Sequence, residues 1–225
     1  VDMSTPPAAY YHRNLPHWHP PGVPLFFTCR LHGSLPAKVM QELKSMQRLL
    51  AREISTLSEV EQQKRRVQAF KRTFARIDVA LDKAASGPLW LVENQIAAMV
   101  ENTLISKYAE LYKLWAYVVM ANHIHFLITP KSFMGSDIPV PLILQKIKGY
   151  TAYEANKMLG RTGEPFWQGE SFDHWPRDDD EFMRIVAYIE NNPVKAGLVK
   201  RPEDWKYSSA AERKRRGWST VRSLT

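Results

Sequence analysis

Residues 112–129, YKLWAYVVMANHIHFLIT, hold two apolar stretches with almost no connector between them. Tyr112 to Ala121 and His123 to Thr129 are each rich in aromatic and β-branched residues, which is typical of strands, and Asn122 interrupts them. Strands that follow each other so closely are expected to pair as neighbours. The stretch therefore predicts an antiparallel hairpin, or a bulged turn at Ala121–Asn122.

The segments on either side of this hairpin alternate between strand and helix. In chain order, periodicity and helix breakers predict a strand at 24–32, a helix at 94–107, the hairpin, a basic helix at 142–159 closed by Gly160, a strand at 172–175, and a helix at 178–192 that Pro193 ends. This order predicts an α+β fold, with a ferredoxin-like antiparallel sheet and helices packed on one face.

Three regions fall outside this pattern. Residues 37–83 are charged and free of proline, with apolar residues at three-and-four spacing, so we expect a helical insertion of two or three helices. Residues 1–23 are rich in proline and aromatic residues and predict an irregular N-terminal arm. Residues 212–225 predict a basic C-terminal tail that is mobile in the free protein. The main domain, which contains the insertion, is accordingly expected at 24–211.

The charge of the chain favours a polyanionic partner. Among 225 residues, 31 Lys and Arg face 23 Asp and Glu, and the net charge of +8 is expected to attract nucleic acid. The single cysteine, Cys29, excludes an internal disulfide and a thiolate metal cage, which fits a reducing cytoplasm. No apolar run approaches the roughly 18 residues that span a bilayer, so we expect a cytoplasmic protein without a membrane partner. Composition leaves monomer and homodimer equally open.

The most specific local feature is His123-Ile124-His125. Alternate residues of a strand project to the same face, so the two imidazoles are expected side by side. Two neutral imidazoles form half of a metal site. Paired histidines on a strand also stack or hydrogen-bond for structural reasons, and the residues alone leave both interpretations open.

A second feature lies at the end of the last predicted helix. Tyr188 and Asn192 are four residues apart and share a helix face, so a phenol and an amide oxygen can address one point. An amide oxygen suits Mg²⁺ or Mn²⁺, and a metal that polarises a phosphate offsets the weak nucleophilicity of a phenol, whose ordinary pKa is about 10. In the competing interpretation, Tyr188 is a core aromatic and Asn192 is the helix C-cap before Pro193.

Three strings resemble one family of DNA-processing enzymes. VVMANHIHFLITP (118–130) is similar to the histidine-hydrophobe-histidine motif of the HUH single-tyrosine transposases. AYIENNPVKAGLVKRPEDWKYSSA (187–210) closely resembles the C-terminal signature of the REP-associated tyrosine transposases, and IKGYTAYEANKMLGRTGEPFWQGESFDHWPRDDDEF (147–182) is similar to that family in order and spacing. The similarity covers residues 24–33 and 88–211.

The resemblance implies a metal-dependent endonuclease and strand transferase that acts on single-stranded DNA, at hairpins such as REP elements, through a 5′-phosphotyrosine intermediate. By position, it makes His123, His125 and Asn192 the ligands of Mg²⁺ or Mn²⁺, and Tyr188 the nucleophile. Two departures are visible. Ala121 stands where relatives often have proline, and the helical insertion is longer than in the shortest relatives.

Candidate DNA contacts follow from charge and aromaticity. Lysines alternate with tyrosines on the predicted helix 142–159, a mixture that can hold phosphate while stacking a base, although a solvated basic helix gives the same pattern. Trp167 is either a buried aromatic or a platform for a base. The candidate DNA-binding residues are Lys146, Lys148, Tyr150, Lys157, Arg213, Lys214, Arg215 and Arg216.

Two other functions fit the same residues. A domesticated relative that binds hairpins without cutting them would be catalytically inactive, although all four catalytic positions are filled here. A metal-dependent hydrolase unrelated to DNA would recruit Asp173 or His174 beside the histidine pair. Within the preferred interpretation, Tyr150 and Tyr153 are rival nucleophiles, but neither has an amide side chain four residues further on.

Overall fold

The computed structural model describes residues 9–12 and 16–225, with side chains from Pro20 onward, as two compact units. One unit combines the chain up to His32 with Trp90–Thr225, and the other is Gly33–Leu89. In chain order, the elements are β1 (Ala9–His12), β2 (Pro16–His19), β3 (Leu25–Arg30), α1 (Ala37–Ile54), α2 (Glu59–Asp82), α3 (Asn94–Asn102), β4 (Tyr112–Val119), β5 (His123–Pro130), β6 (Ser132–Phe133), β7 (Ser136–Asp137), α4 (Val140–Met158), β8 (Phe172–His174), α5 (Asp179–Lys195) and α6 (Ser209–Arg215).

A sheet of four strands organises the first unit. Its order is β4-β5-β3-β8, and every neighbouring pair is antiparallel. Counted along the chain, this order is second, third, first and fourth, which is the ferredoxin-like arrangement. The predicted α+β, ferredoxin-like class is confirmed, and residues 112–129 form the predicted hairpin as β4 and β5.

The two faces of this sheet have different roles. On one face, Phe27, Ile124 and Phe126 are fully buried in the main apolar core, which residues of α3 and α4 complete. Neighbouring positions along each strand point to the other face, where Phe26 packs against His125 and against α5. The crossover helices α3 and α4 therefore share one face as predicted. Helix α5 differs, because it follows the last strand and packs on the opposite face.

A bulge in β4 lies within the strand and not at the turn. The register shifts at Trp115, which is the extra residue. Its indole Nε1 donates a hydrogen bond to Thr129 Oγ1 at 2.9 Å, and its ring meets that of Phe182 edge-on with centroids 5.6 Å apart. Because Phe182 belongs to α5, the bulge helps to place that helix on the sheet.

Helix α5 begins where the sequence predicts and ends later. Asp178 is its N-cap, with a carboxylate that accepts from the Glu181 N–H at 2.6 Å. The predicted end at Pro193 is wrong, since the helix continues to Lys195 with Pro193 buried inside it. A proline removes one N–H and crowds the carbonyl four residues before it, yet the helix continues past Pro193 and ends with the Ala196 N–H donating to the carbonyl of Asn192 at 3.0 Å.

The described part of the N-terminal arm is more regular than its composition predicts. Strands β1 and β2 pair in an antiparallel ribbon, so the irregular arm predicted for residues 1–23 is wrong at 9–12 and 16–19. Pro16 stands at the first position of its strand, where a missing N–H is tolerated. The remaining positions of the predicted arm up to residue 15 lie outside the described residues.

The C-terminal segment packs along the outer edge of β4, in place of the predicted mobile tail. The Val119 N–H donates to the carbonyl of Tyr207 at 2.9 Å, and the Leu224 N–H donates to the carbonyl of Leu114 at 2.7 Å. Thr225 Oγ1 donates to the carbonyl of Tyr112 at 2.9 Å. Burial of Leu224, together with these hydrogen bonds, outweighs the tendency of a charged terminus to remain free.

The Gly33–Leu89 unit consists of α1 and α2 with the turns that flank them. Ser58 and Glu61 form a capping box at the start of α2, and a small core of its own contains Leu43 and Leu81. The insertion predicted at 37–83 is therefore a helical pair and not a trio. In neither unit does the described chain contain a helix that is long and apolar enough to cross a bilayer.

Candidate active site

The two motif histidines lie side by side on β5, as their alternation predicts. Both side chains are fully buried, with an Nε2 to Nε2 distance of 3.1 Å. Their rings are 4.6 Å apart between centroids. Strand β5 lies between β4 and β3, so the backbone that carries both imidazoles is fixed by hydrogen bonds to two neighbouring strands.

The other ring nitrogen of each histidine has its own partner. His123 Nδ1 lies 2.7 Å from Asn122 Oδ1, and His125 Nδ1 lies 2.8 Å from Thr28 Oγ1. An amide oxygen only accepts, so neutral His123 keeps its proton on Nδ1 and presents a lone pair at Nε2. Two lone pairs 3.1 Å apart would repel, so a proton or a cation has to lie between the two Nε2 atoms. Hydrogen-bonded Nδ1 atoms are the usual support of histidine metal ligands.

Tyr188 lies against this pair, although it comes from a distant part of the sequence. Its ring centroid is 5.4 Å from that of His125 and 5.9 Å from that of Phe26. Lys195 places Nζ 5.7 Å from the centre of the same ring. Helix α5 thus brings a phenol and a positive charge to the histidine face of the sheet.

Asn192 follows Tyr188 by one helical turn and is fully buried. Neither its Oδ1 nor its Nδ2 has a hydrogen-bond partner among the described residues. The competing interpretation as a C-cap is wrong, because the C-cap of α5 is Ala196. A buried amide without partners costs about 1–3 kcal/mol, which points to a ligand at this position.

A divalent metal fits this set of donors. Asn192 lies one helical turn from Tyr188, whose ring packs on His125, so its unpartnered amide oxygen is a candidate to join the two imidazole nitrogens. Mg²⁺ or Mn²⁺ accepts such mixed ligands and keeps further positions for phosphate oxygens. Within residues 20–225, no cluster of three or more His, Cys, Asp or Glu side chains is arranged for a metal. A site made of two histidines and the amide of Asn192 is not a cluster of that kind, so the absence does not count against it.

We expect Asn192→Leu to raise the stability of the metal-free protein and to abolish metal binding. Leucine has a similar size and no polar atoms, so the metal-free protein should gain about 1 kcal/mol of unfolding free energy. Stabilisation by Mn²⁺ should disappear at the same time. Chemical denaturation with EDTA and with Mn²⁺ measures both effects, and Asn191→Ala on the exposed neighbour is the control. A loss of several kcal/mol in EDTA would instead mean that the amide is already satisfied by the protein.

The alternative site residues are placed elsewhere or are already engaged. Tyr150 and Tyr153 lie on α4, which packs on the other face of the sheet. Asp173 is opposite Phe27 in the register of β8 with β3, so it also lies on the α4 side of the sheet. Both residues line a cavity of about 450 Å³ there. His174 does lie on the histidine face, and it is bound to Glu181.

The contact between His174 and Glu181 is a feature that sequence reasoning missed. His174 Nε2 lies 2.9 Å from Glu181 Oε1, and the Arg177 N–H donates to the other carboxylate oxygen at 2.9 Å. Burial acts to raise the pKa of Glu181, but the hydrogen bonds and the charge of its neighbours hold that pKa below its ordinary value. The contact ties the first turn of α5 to the edge strand β8, two turns before Tyr188. No local pattern reveals it, because it depends on tertiary packing.

Basic and aromatic residues of α4 form a row on the far face, which we call the α4 stripe and in which only Tyr150 is half-buried: Lys146, Tyr150, Tyr153 and Lys157. Lys107 extends it, with Nζ 4.0 Å from the centre of the Tyr150 ring. Lys148 does not belong to the stripe. Its Nζ donates to the carbonyls of Gln168 and Gly169 at 2.7 and 2.8 Å, so it holds the loop before β8.

The remaining candidate DNA contacts are largely engaged within the protein. Arg213 is buried and forms an ion pair with Glu190. Arg215 and Arg216 both pair with Glu212, while Lys214 is exposed. Trp167 is also buried, and its Nε1 donates to Thr151 Oγ1 at 2.8 Å, which favours the buried aromatic over a base platform.

The site lies within a segment that known proteins share. Residues 90–192 match the family model described as Transposase IS200 like. Over that span, the chain is similar to the IS200-like transposases. The resemblance inferred from the motifs is thereby confirmed, and the IS200-like segment contains both histidines, Tyr188 and Asn192.

Two other proteins are similar to parts or to most of this chain. A Haemophilus influenzae protein with the provisional name REP-associated tyrosine transposase is 44% identical over 43 residues, which are 19% of this chain and 24% of that protein. The match thus spans about a quarter of the relative. A solved structure, described as the REP-associated tyrosine transposase bound to a REP hairpin, covers 96% of this chain and 93% of its own with a TM-score of 0.54 and 18% identity. At that identity, the likeness shows a common fold.

Proposed function

We propose that this chain is a metal-dependent nuclease and strand transferase that cleaves single-stranded DNA at hairpins. Tyr188 is the nucleophile, and His123, His125 and Asn192 hold Mg²⁺ or Mn²⁺. The observation that carries the proposal is the packing of Tyr188 against His125, with 5.4 Å between the centroids of the two rings. One phosphate group can then contact the phenol and the histidine pair together.

In the cleavage step, Tyr188 Oη attacks the phosphorus of a DNA phosphodiester. The phenol proton passes to solvent, the P–Oη bond forms and the P–O3′ bond breaks. The departing oxygen takes a proton from solvent, which yields a 5′-phosphotyrosyl bond and a free 3′-hydroxyl. Attack by that hydroxyl, or by another one, reverses the step and rejoins strands.

The residues around Tyr188 are suited to this step. His125 and Phe26 pack against the ring and limit its orientation, while Lys195 supplies positive charge beside it. When bound, the divalent metal polarises the phosphate and stabilises the charge that develops on its oxygens. Since all four catalytic positions are filled, we favour an active enzyme over a domesticated hairpin-binding protein.

Hairpin DNA is the proposed partner. The similar fold of a transposase described as bound to a REP hairpin supports it, as does the net charge of +8. Within this proposal, an unpaired flank of the hairpin follows the α4 stripe. Lys107, Lys146 and Lys157 are exposed cations without an acidic partner in residues 20–225, and Tyr153 is 62% exposed and can stack on a base.

We expect Lys107→Gln, Lys146→Gln and Lys157→Gln together to weaken binding of flanked hairpins in a salt-dependent way. Each lysine–phosphate contact contributes roughly 0.7 to the steepness of log K against log salt for single strands. Loss of three contacts should therefore make this slope less steep by about 2. Fluorescence anisotropy across a salt series measures the slope. Lys38→Gln, Lys44→Gln and Lys83→Gln remove the same charge from the other unit. Equal slopes for the two triple variants would mean that net charge acts and the stripe does not.

A further inference from the structure

Arg30 is a cation on the histidine face that no motif indicates. It ends β3, where it is directly opposite His123 in the antiparallel register. Two residues earlier, Thr28 is opposite His125 and approaches its Nδ1 to 2.8 Å, so these alternate positions of β3 face the histidines. Opposed residues on one face of an antiparallel pair have Cβ atoms about 5 Å apart. The Arg30 side chain therefore starts beside His123.

The guanidinium of Arg30 has no carboxylate partner among residues 20–225. Among residues 20–225, no carboxylate or carbonyl accepts a hydrogen bond from it. The side chain is nevertheless partly buried, and this burial lowers its pKa to about 10. Arg213 is the useful comparison, since it is also buried but pairs with Glu190. The charge of Arg213 is thus balanced by the carboxylate of Glu190, whereas among residues 20–225 no carboxylate balances the charge of Arg30.

We propose that Arg30 binds the non-bridging oxygens of the DNA phosphate that Tyr188 attacks. An unpaired charge in a partly dry position lowers stability, and an anionic ligand at that position removes the cost. A guanidinium presents two parallel N–H donors that match two phosphate oxygens, which a lysine cannot do. The inference rests on the proposed function, because it takes the reacting phosphate to lie beside the histidine pair.

The position of Arg30 gives it a role that differs from those of the other residues. Arg30 is opposite His123 in the register and Tyr188 packs on His125, so the two residues are placed at different members of the histidine pair. A phosphate over the pair would be contacted by both the phenol and the guanidinium. Negative charge on the phosphoryl oxygens is stabilised during transfer by such a fixed donor, an effect on the order of 10²–10³-fold for one lost contact.

The first test compares Arg30→Gln and Arg30→Lys in single-turnover cleavage of a labelled hairpin with Mn²⁺. We expect Gln to slow adduct formation about 100-fold or more, and Lys to restore only part of the rate. Mn²⁺ affinity by calorimetry should stay within twofold, because Arg30 is not a ligand. Arg48→Gln, an exposed arginine of the other unit, controls for the loss of one charge. Adduct formation by Arg30→Gln at the wild-type rate would overturn the inference.

A second test identifies the contact atoms without requiring cleavage. In the Tyr188→Phe background, binding is measured for an all-phosphodiester hairpin and for a series in which a single methylphosphonate occupies each successive position of the unpaired flank. If Arg30 contacts the oxygens of one phosphate, the losses from Arg30→Gln and from the methylphosphonate at that position are not additive. Additive losses at every position would exclude the contact. A wild-type protein that forms no adduct, yet shows this coupling, would instead contradict the nuclease and leave the phosphate site in place.

Discussion

Tyr188→Phe is expected to abolish the covalent protein–DNA adduct while hairpin affinity stays within about twofold. Phenylalanine keeps the ring that packs on His125 and Phe26, so the helix should remain in place. Only the attacking oxygen is lost, and loss of a nucleophile typically removes several orders of magnitude in rate. A denaturing gel of protein with labelled hairpin and Mn²⁺ detects the adduct directly.

The matched controls for Tyr188 are the other tyrosines considered as nucleophiles. Tyr150→Phe and Tyr153→Phe should form the adduct at the wild-type rate, because α4 lies on the other face of the sheet. An undiminished adduct in Tyr188→Phe would remove the assignment. Loss of the adduct in Tyr153→Phe alone would instead identify Tyr153, on α4, as the nucleophile.

His123→Ala or His125→Ala should each lower Mn²⁺ affinity by more than tenfold. Each change removes one of two nitrogens that lie 3.1 Å apart and share a proton or a cation. Titration calorimetry measures the affinity, and thermal unfolding without metal shows whether the fold persists. His174→Ala is the matched control, since His174 lies on the same face of the sheet but pairs with Glu181. Unchanged calorimetry for both motif histidines would contradict the metal site.

Local signals account for the parts of this protein that could be predicted from sequence. The β4–β5 hairpin follows from two apolar stretches around Asn122, and the histidine pair follows from alternation on one strand. Tyr188 and Asn192 share a helix face because a spacing of four residues is close to the 3.6 residues of one turn. Each of these relations needs only a few consecutive residues.

Relations between distant strands could not be predicted in the same way. Arg30 lies opposite His123 only through the register of β3 with β5, which residues 24–32 do not reveal. Trp115 contacts α5 from a bulge in β4, and that bulge has no clear marker in the sequence. The end of α5 was mispredicted because proline usually ends a helix, and only tertiary packing shows where it is tolerated.

Strand β4 lies at one side of the sheet, so its outward backbone groups are open to pairing. Tyr207 and the last two residues accept or donate hydrogen bonds along that side, at Val119, Leu114 and Tyr112. Exposed strand margins of this kind recruit strands of other molecules and lead to aggregation. By occupying this margin, the segment from Tyr207 to Thr225 leaves fewer backbone groups of β4 open to a strand of another molecule.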